Sequence, residues 1–199
     1  LHTRSVRRGA PDKLVIADMP FISHRCGLGA AVENAGRLMR AGAQAVKLEG
    51  AAGNLDTVRV LLESGIPVME HLGLTPQSVH RLAGFRVQAR DETSAKRLKA
   101  DARDLEAAGC FALLLEAVPA ELAEEVTASL SIPTIGIGAG RGTDGQILVL
   151  HDLLGLSHSP RPKFVRDFMN GEQQVREALA RFHAAVESRD FPNHSESYQ

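Results

Sequence analysis

The chain has no tryptophan, one tyrosine and only two cysteines, Cys26 and Cys110, among its 199 residues. Two cysteines match neither a disulfide framework nor a zinc site, and they fit a reduced, cytoplasmic protein. The formal net charge is −1, so the chain lacks the basic excess that holds nucleic acid or an anionic membrane surface. No apolar run reaches transmembrane length, and the N-terminus lacks a signal-peptide pattern. These absences favour a soluble protein that acts on small molecules.

The sequence instead alternates short apolar runs with helical patterns. The apolar runs cover 13–21, 45–50, 67–73, 111–118, 133–140 and 146–152. The helical patterns cover 33–40, 55–64, 95–108 and 119–130. Gly42, Gly65 and Gly109 follow three of these patterns, which is typical of helix ends. The alternation predicts parallel strands joined by helices.

Six such strands predict an α/β fold, and specifically a (β/α)8 TIM-type barrel whose first two βα units are absent from this chain. The first residue is Leu1, within a helical pattern, which indicates that the chain begins partway through a gene product. A doubly wound open sheet is the competing architecture. We expect one barrel domain over residues 1–199, with a polar tail at 189–199 that is either disordered or reaches a neighbouring subunit.

Five polar residues lie near the C-terminal ends of four predicted strands: Asp18, Lys47, Glu49, His71 and Glu116. Strand alternation places Lys47 and Glu49 on one face of their strand. A charged pair inside a sheet is costly unless something compensates it. Each of the five could be only a capping or ion-paired residue. In a barrel, however, the C-terminal strand ends surround one cavity, so we expect the five side chains to form a site.

The residue types predict a class of reaction. Asp18 and Glu49 offer the hard oxygen ligands that suit Mg2+ bound together with waters and a chelating substrate. Lys47 offers positive charge for a carboxylate or a developing enolate oxygen. Glu116 lies on a very apolar strand and is suited to proton transfer, and His71 to hydrogen bonding with a ketone or carboxylate oxygen. Together they predict metal-assisted proton removal beside a carbonyl, followed by formation or cleavage of a carbon–carbon bond.

Long segments of the chain resemble the ketopantoate hydroxymethyltransferase family of pantothenate biosynthesis. These segments are ADMPF (17–21), VKLEG (46–50), HLGLTPQS (71–78), LEAVPAELA (115–123) and IPTIGIGAGRGTDGQILVLHDLLGL (132–156). The resemblance covers nearly the whole chain, from residue 7 into the C-terminal helix. It implies a (β/α)8 barrel related to the phosphoenolpyruvate mutase and isocitrate lyase group, assembled as a homodecamer.

The resemblance also implies a role for each candidate residue. Asp18 binds Mg2+ and, with Lys47 and His71, the 2-oxo acid, while Glu49 reaches the metal directly or through water. Glu116 is the catalytic base that removes a proton from 3-methyl-2-oxobutanoate. The resulting enolate takes the one-carbon unit of 5,10-methylenetetrahydrofolate, which gives 2-dehydropantoate and tetrahydrofolate. The alternatives are a metal-dependent lyase acting on another 2-oxo acid and a non-catalytic subunit of an oligomer.

The chain departs from the family pattern in three places. The family's first metal ligand, an Asp in an Asp-Ser pair that ends the second barrel strand, has no counterpart, and for this reason two βα units are expected to be absent. Glu70 and Ala89 stand where the family has glycine. We expect Glu70 to perturb His71 or the pocket entrance, and Ala89 to alter a loop near the site.

The remaining motifs have less specific interpretations. The glycine-rich segment 135–145 lacks the Lys-Ser/Thr pair of a nucleotide P-loop, and indicates a tight turn or a close approach to a cofactor. His151 and Asp152 are predicted to end the last strand, as pocket-rim or capping residues. Four histidines without metal-ligand spacing are predicted to lie on the surface: His24, His80, His158 and His183.

Overall fold

The computed structural model describes residues 1–78, 84, 86–157 and 161–198. The chain forms two compact units, Leu1–Ile147 and Leu148–Gln199. The first unit holds the whole sheet and the longer helices that alternate with its strands. The predicted histidines His80 and His158 lie outside the described residues.

The described part of the first unit is built on a parallel sheet of six strands. The strands are β1 (Ile16–Asp18), β2 (Ala45–Glu49), β3 (Val68–Gly73), β4 (Ala112–Glu116), β5 (Thr134–Ile137) and β6 (Gly145–Gln146). They lie in chain order, and every pairing is parallel. The predicted α/β class is therefore confirmed. A doubly wound sheet needs a reversal of strand order, and the described strands have none.

The described residues of this unit form five α-helices: α1 (His2–Gly9), α2 (Leu28–Arg40), α3 (Leu55–Glu63), α4 (Glu92–Ala108) and α5 (Ala120–Ala128). The glycines predicted to end α2, α3 and α4 do so with positive φ angles of 105°, 79° and 102° at Gly42, Gly65 and Gly109. Helix α4 begins earlier than predicted because the Asp91 side chain accepts a hydrogen bond from the Ser94 amide at 2.9 Å.

The core lies between one face of the sheet and the helices. Alternate strand residues such as Val46, Leu48 and Leu113 pack with Leu61 of α3 and Leu105 of α4 in one buried cluster. Each such side chain contributes roughly 1.5–3 kcal/mol through burial. Alternation places the intervening strand residues on the opposite face, which leaves that face for polar side chains.

The second unit contains α6 (Leu150–Leu153) and α7 (Gly171–Glu187). The strand predicted over 146–152 is wrong beyond its start, since the sheet's last bond runs from the Ile147 amide to the Gly136 carbonyl and α6 follows. His151 and Asp152 therefore lie on a helix. A short apolar run fits either a strand or a buried helical turn, and periodicity alone does not separate the two.

The polar tail ends in a 3-10 helix, His194–Glu196. The Asn193 side chain accepts from the Ser195 amide, and Glu196 accepts from the Asn193 amide, which completes a capping box.

None of the described helices combines the length and the apolar composition that a membrane span requires.

The glycine-rich segment after β5 bends between two parallel strands. Gly138 and Gly140 have φ angles of 63° and 78°, which L side chains rarely adopt. A Cβ on Gly140 would lie 2.4 Å from the Ala120 Cβ, so the turn packs directly on the start of α5.

Ala89 is a non-glycine residue with a left-handed backbone, φ 55°. Left-handed conformation costs an L-residue roughly 1–2 kcal/mol, whereas the extra backbone entropy of glycine costs roughly 0.5–1 kcal/mol. Ala89→Gly should therefore stabilise the fold by about 0.5–1 kcal/mol, measured by urea denaturation. Ala95→Gly, within α4, is the matched control and should destabilise by about 1 kcal/mol. A loss of stability at both positions would contradict strain at Ala89.

Candidate active site

The five predicted residues converge on the polar face of the sheet, along four neighbouring strands. Asp18 ends β1, Lys47 and Glu49 lie on β2, His71 lies on β3 and Glu116 ends β4. The register pairs Asp18 with Lys47 and Glu49 with His71. Because all four strands are parallel, their ends meet at one edge of the sheet.

His71 is the centre of this group. Its ring is 1% exposed, with Nε2 lying 3.2 Å from Glu116 Oε2 and Nδ1 lying 3.7 Å from Glu49 Oε1. Lys47 Nζ is 3.4 Å from the same Nδ1 atom. The approach of Nε2 to Glu116 is a close ion-pair contact and not a well-aligned hydrogen bond, since Nε2 has no partner of good geometry among the described residues. The histidine thus links the carboxylates of β2 and β4.

The pKa values of His71 and Glu49 reflect this link. Burial by itself lowers the pKa of His71, but the carboxylates of Glu116 and Glu49 outweigh burial and raise it. Burial likewise favours neutral Glu49, yet His71, the Lys47 ammonium and the Gln77 amide together lower the pKa of Glu49. Both shifts favour an imidazolium that is shared by two carboxylates.

Lys47 joins the first two strands. Its Nζ lies 2.8 Å from Asp18 Oδ2 and 3.8 Å from Glu49 Oε1, and its side chain is 15% exposed. The Asp18 side chain is 51% exposed, whereas that of Glu49 is 4% exposed. Lys47 therefore compensates a buried carboxylate on one side and an accessible one on the other.

Glu116 is placed by two unusual backbone positions. Gly73, its register partner on β3, has a φ of 91°, and a Cβ there would lie 2.3 Å from the Glu116 carbonyl oxygen. That carbonyl accepts from the Leu74 amide at 2.9 Å. Ala117 follows with a left-handed φ of 48°, which ends the strand sharply. The Glu116 side chain is 13% exposed, so a substrate can reach it at the strand end.

Glu70 lies on the helix-facing side of the sheet and not at the pocket entrance. Its register partners are Leu48 and Leu113, and it is fully buried among core residues. Oε2 accepts from the His71 amide at 3.2 Å, and Oε1 has no partner among the described residues. Burial raises the pKa of Glu70 to about 8. The expected effect at the entrance is wrong because strand alternation sends neighbouring side chains to opposite faces.

His24 is also misplaced by sequence reasoning. The prediction of a surface residue is wrong, since His24 is 3% exposed and neither ring nitrogen has a partner in the described structure. Burial and the neighbouring Arg25 lower its pKa. His183 is exposed as predicted and lies 3.6 Å from Glu187.

The sequence patterns did not indicate three residues that donate hydrogen bonds to Glu49. The Gln77 amide donates to Glu49 Oε2 at 3.0 Å, and Asn54 Nδ2 and Arg25 both donate to the Glu49 carbonyl oxygen. Asn54 precedes α3, where it reads as an N-cap, but its side chain bonds backward instead. Gln77 lies inside HLGLTPQS, so the motif pointed to the segment without indicating the contact.

Asp18 and Glu49 fit a hard divalent cation in donor chemistry. Mg2+ commonly takes one or two protein carboxylates and completes its shell with waters and substrate oxygens. Asp18 presents an accessible carboxylate and Glu49 a buried one, and Lys47 Nζ lies within 4 Å of both. Over the described ranges, no group of three His, Cys, Asp or Glu side chains is arranged to hold a metal ion.

Sequence comparison places these residues within one group of proteins. The family model of ketopantoate hydroxymethyltransferase matches residues 1–194. A 3-methyl-2-oxobutanoate hydroxymethyltransferase of Bdellovibrio bacteriovorus is 54% identical over 197 residues, which cover 99% of this chain and 75% of that protein. The enzyme of the same name from Coxiella burnetii (strain CbuG_Q212) is 52% identical, covering 96% of this chain and 73% of its own length.

Solved structures share the fold at low sequence identity. A Burkholderia cenocepacia J2315 protein assigned as a phosphonomutase superposes with a TM-score of 0.53 and 16% identity, covering 94% of this chain and 73% of that one. Oxaloacetate acetylhydrolase superposes with a TM-score of 0.53 and 12% identity, covering 72% of this chain and 56% of its own. At these identities the likeness concerns the fold alone.

Gly73→Ala should disturb the strand that carries Glu116, because the new Cβ would meet a backbone oxygen and the Val118 side chain. We expect a loss of roughly 1–3 kcal/mol in the free energy of unfolding, as for a side chain forced into a tight site. Thermal denaturation measures it. Gly29→Ala is the control, since no atom lies within 4 Å of the added Cβ in α2. Equal stability of the Gly73 variant and the parent would contradict this close approach.

Glu70 should make stability depend on pH. Between its ordinary pKa of 4.5 and the folded value of about 8, the folded chain keeps a proton that the unfolded chain has lost. Stability should therefore fall as pH rises across this window, by roughly 1.4 kcal/mol per pH unit. Glu49 and His71 remain in the variant, so their contributions to the pH dependence are common to both proteins.

Glu70→Gln, which mimics the protonated acid, should remove this slope in urea denaturation at pH 5, 6.5 and 8. The exposed Glu63→Gln is the matched control and should keep the slope of the parent. If the difference between the Glu70 variant and the parent is the same at all three pH values, Glu70 is ionised in the folded state.

Proposed function

This chain belongs to the ketopantoate hydroxymethyltransferase family, and we propose that it converts 3-methyl-2-oxobutanoate to 2-dehydropantoate with 5,10-methylenetetrahydrofolate and water. The reaction is a hydroxymethyl transfer of pantothenate biosynthesis, the function of its relatives at 52–54% identity. One structural observation carries the assignment of the chemistry. A reachable carboxylate, Glu116, lies 3.2 Å from buried His71 at the end of a parallel strand.

Glu116 is the catalytic base in this proposal. It takes the proton from the carbon beside the ketone. Its side chain lies at the end of β4 and is 13% exposed, so a substrate can reach the carboxylate. His71 contacts Glu116, with Nε2 lying 3.2 Å from Oε2, and so orients the carboxylate at the end of β4. Proton removal gives an enolate, whose carbon bonds to the methylene carbon carried by the folate. Both carbon–nitrogen bonds of that methylene break, water supplies the hydroxyl group, and the two folate nitrogens take one proton from water and the one that Glu116 removed.

Lys47 and Asp18 orient the 2-oxo acid. The Lys47 ammonium lies 2.8 Å from Asp18 and is available to the substrate carboxylate at the same strand edge. Asp18 and Glu49 would hold Mg2+, and the ion when bound supplies positive charge that favours ionisation beside the ketone. His71 contributes a hydrogen bond to a ketone or carboxylate oxygen of the substrate.

The architecture proposed for the working enzyme is a (β/α)8 barrel. A parallel sheet in sequential strand order supports it, together with the fold shared with the Burkholderia cenocepacia protein. The same proposal includes two further βα units and a single domain over 1–199. It also includes a tail, 189–199, that reaches a neighbouring subunit. We further propose a homodecamer in the cytoplasm, acting on small molecules and not on nucleic acid.

Proton exchange at the substrate tests this function. With protein and Mg2+ in deuterium oxide and no folate, the proton NMR signal of the carbon beside the ketone of 3-methyl-2-oxobutanoate should disappear. Glu116→Gln should slow this exchange at least about 100-fold, because the amide cannot accept the proton. Binding of the 2-oxo acid should be kept, and chelation of Mg2+ should stop exchange in the parent.

The exposed Glu63→Gln is the matched control and should exchange at the parent rate. Exchange by Glu116→Gln at the parent rate would remove Glu116 from its role. No exchange by the parent above a magnesium-only sample would contradict the proposed function and favour a non-catalytic subunit. Exchange of a different 2-oxo acid in preference to this one would favour the related lyase.

A further inference from the structure

Gln77 ties together the ends of the first three strands. It lies in a 3-10 turn, Pro76–Ser78, that follows β3. Its backbone amide donates to Glu49 Oε2 at 3.0 Å, at the end of β2. Its side-chain Nε2 donates to the Met19 carbonyl at 3.0 Å, directly after Asp18 at the end of β1. One residue therefore spans from the loop of β3 across β2 to β1.

The two bonds have different effects. The amide bond restrains the Glu49 carboxylate, whose other oxygen is near His71 and Lys47. The side-chain bond restrains the turn, because the Met19 carbonyl is itself fixed by sheet pairing: the Met19 amide donates to the Lys47 carbonyl at 2.9 Å. With the turn anchored on β1, the Gln77 amide stays aimed at Glu49.

The side-chain bond is specific for a donor. A carbonyl oxygen only accepts hydrogen bonds, so the NH2 group of Gln77 must face Met19 and the amide orientation follows. A side chain of equal length without a donor fills the same space but leaves the turn unanchored. This difference separates a positioning role from a packing role.

We propose that Gln77 is a positioning residue for proton abstraction, which holds Glu49, and through it His71 beside Glu116, by anchoring the turn after β3 to the end of β1. The inference rests on the proposed function for its catalytic consequence. The hydrogen-bond arrangement itself is independent of the reaction. Misplacing a group that orients a catalytic side chain commonly slows the chemical step by an order of magnitude or more.

Gln77→Met tests the proposal, since methionine keeps the length of the side chain and removes its donor. We expect the maximal rate of deuterium exchange into 3-methyl-2-oxobutanoate to fall about tenfold, with the KM for the 2-oxo acid within about twofold of the parent. The amide of residue 77 should also lose protection in hydrogen exchange followed by NMR. Gln77→Ala should give the same two changes.

Gln146→Met is the matched control. Gln146 Nε2 also donates to a backbone carbonyl, that of Gly140, at 2.9 Å, but it lies on β6. The control should keep the parent rate and the parent protection at residue 77. Thermal denaturation of all variants confirms that they are folded at the assay temperature.

The outcomes separate the two proposals. A Gln77→Met protein with the parent rate and an equally protected amide would overturn the positioning role, because volume alone would then suffice. A drop in rate equal to that of Gln146→Met would overturn it as well. If the parent shows no exchange, the proposed function fails, and the protection of the residue 77 amide still decides whether the side chain anchors the turn.

Discussion

The contact of buried His71 with the carboxylates on either side of it is the interaction on which the site depends. An imidazole ring that is 1% exposed can carry charge only with partners, and here the partners come from the neighbouring strands β2 and β4. Glu49 and Glu116 must therefore lie at fixed heights along those strands. Parallel pairing in register provides this, because each strand is held by its neighbours on both sides.

Placement of the outer members follows from the same constraint. Lys47 compensates the charge of Glu49 within β2 and also forms an ion pair with Asp18 on β1. Gly73 brings the backbone of β3 close to Glu116, at a distance that no side chain would allow. Gly73 and the left-handed Ala117 thus place two uncommon backbone conformations beside the Glu116 carboxylate.

In the part of the chain that the structure describes, the opposite face of the sheet holds a buried ionisable group that forms no ion pair. Glu70 is as buried as His71, but its Oε1 has no partner among the described residues, and burial raises its pKa to about 8. Burial is the main cause that raises the pKa of the Cys110 thiol to about 12, and the Glu70 carboxylate adds to this shift. Burial therefore favours the neutral form of the carboxyl group in the apolar layer, whereas an imidazole and an ammonium lower the pKa of Glu49 on the polar face.

Alternating helical and apolar segments made the α/β class readable from the sequence, because periods of 3.6 and 2 residues reflect one-sided burial. Glycines marked the helix ends, and position at the end of a predicted strand identified the five candidate residues, Asp18, Lys47, Glu49, His71 and Glu116.

Contacts between residues far apart in the chain needed the tertiary structure. The Gln77 contact with Glu49 joins residues 28 positions apart, and the burial of His24 depends on how the loop between β1 and α2 packs. The last apolar run shows the same limit, since sheet pairing stops at Ile147 and the end of the run, from Leu150, lies in α6. Local chemistry therefore determined the elements and the candidate residues, while their distances, their partners and the face that each side chain occupies were decided by packing, which no local pattern encodes.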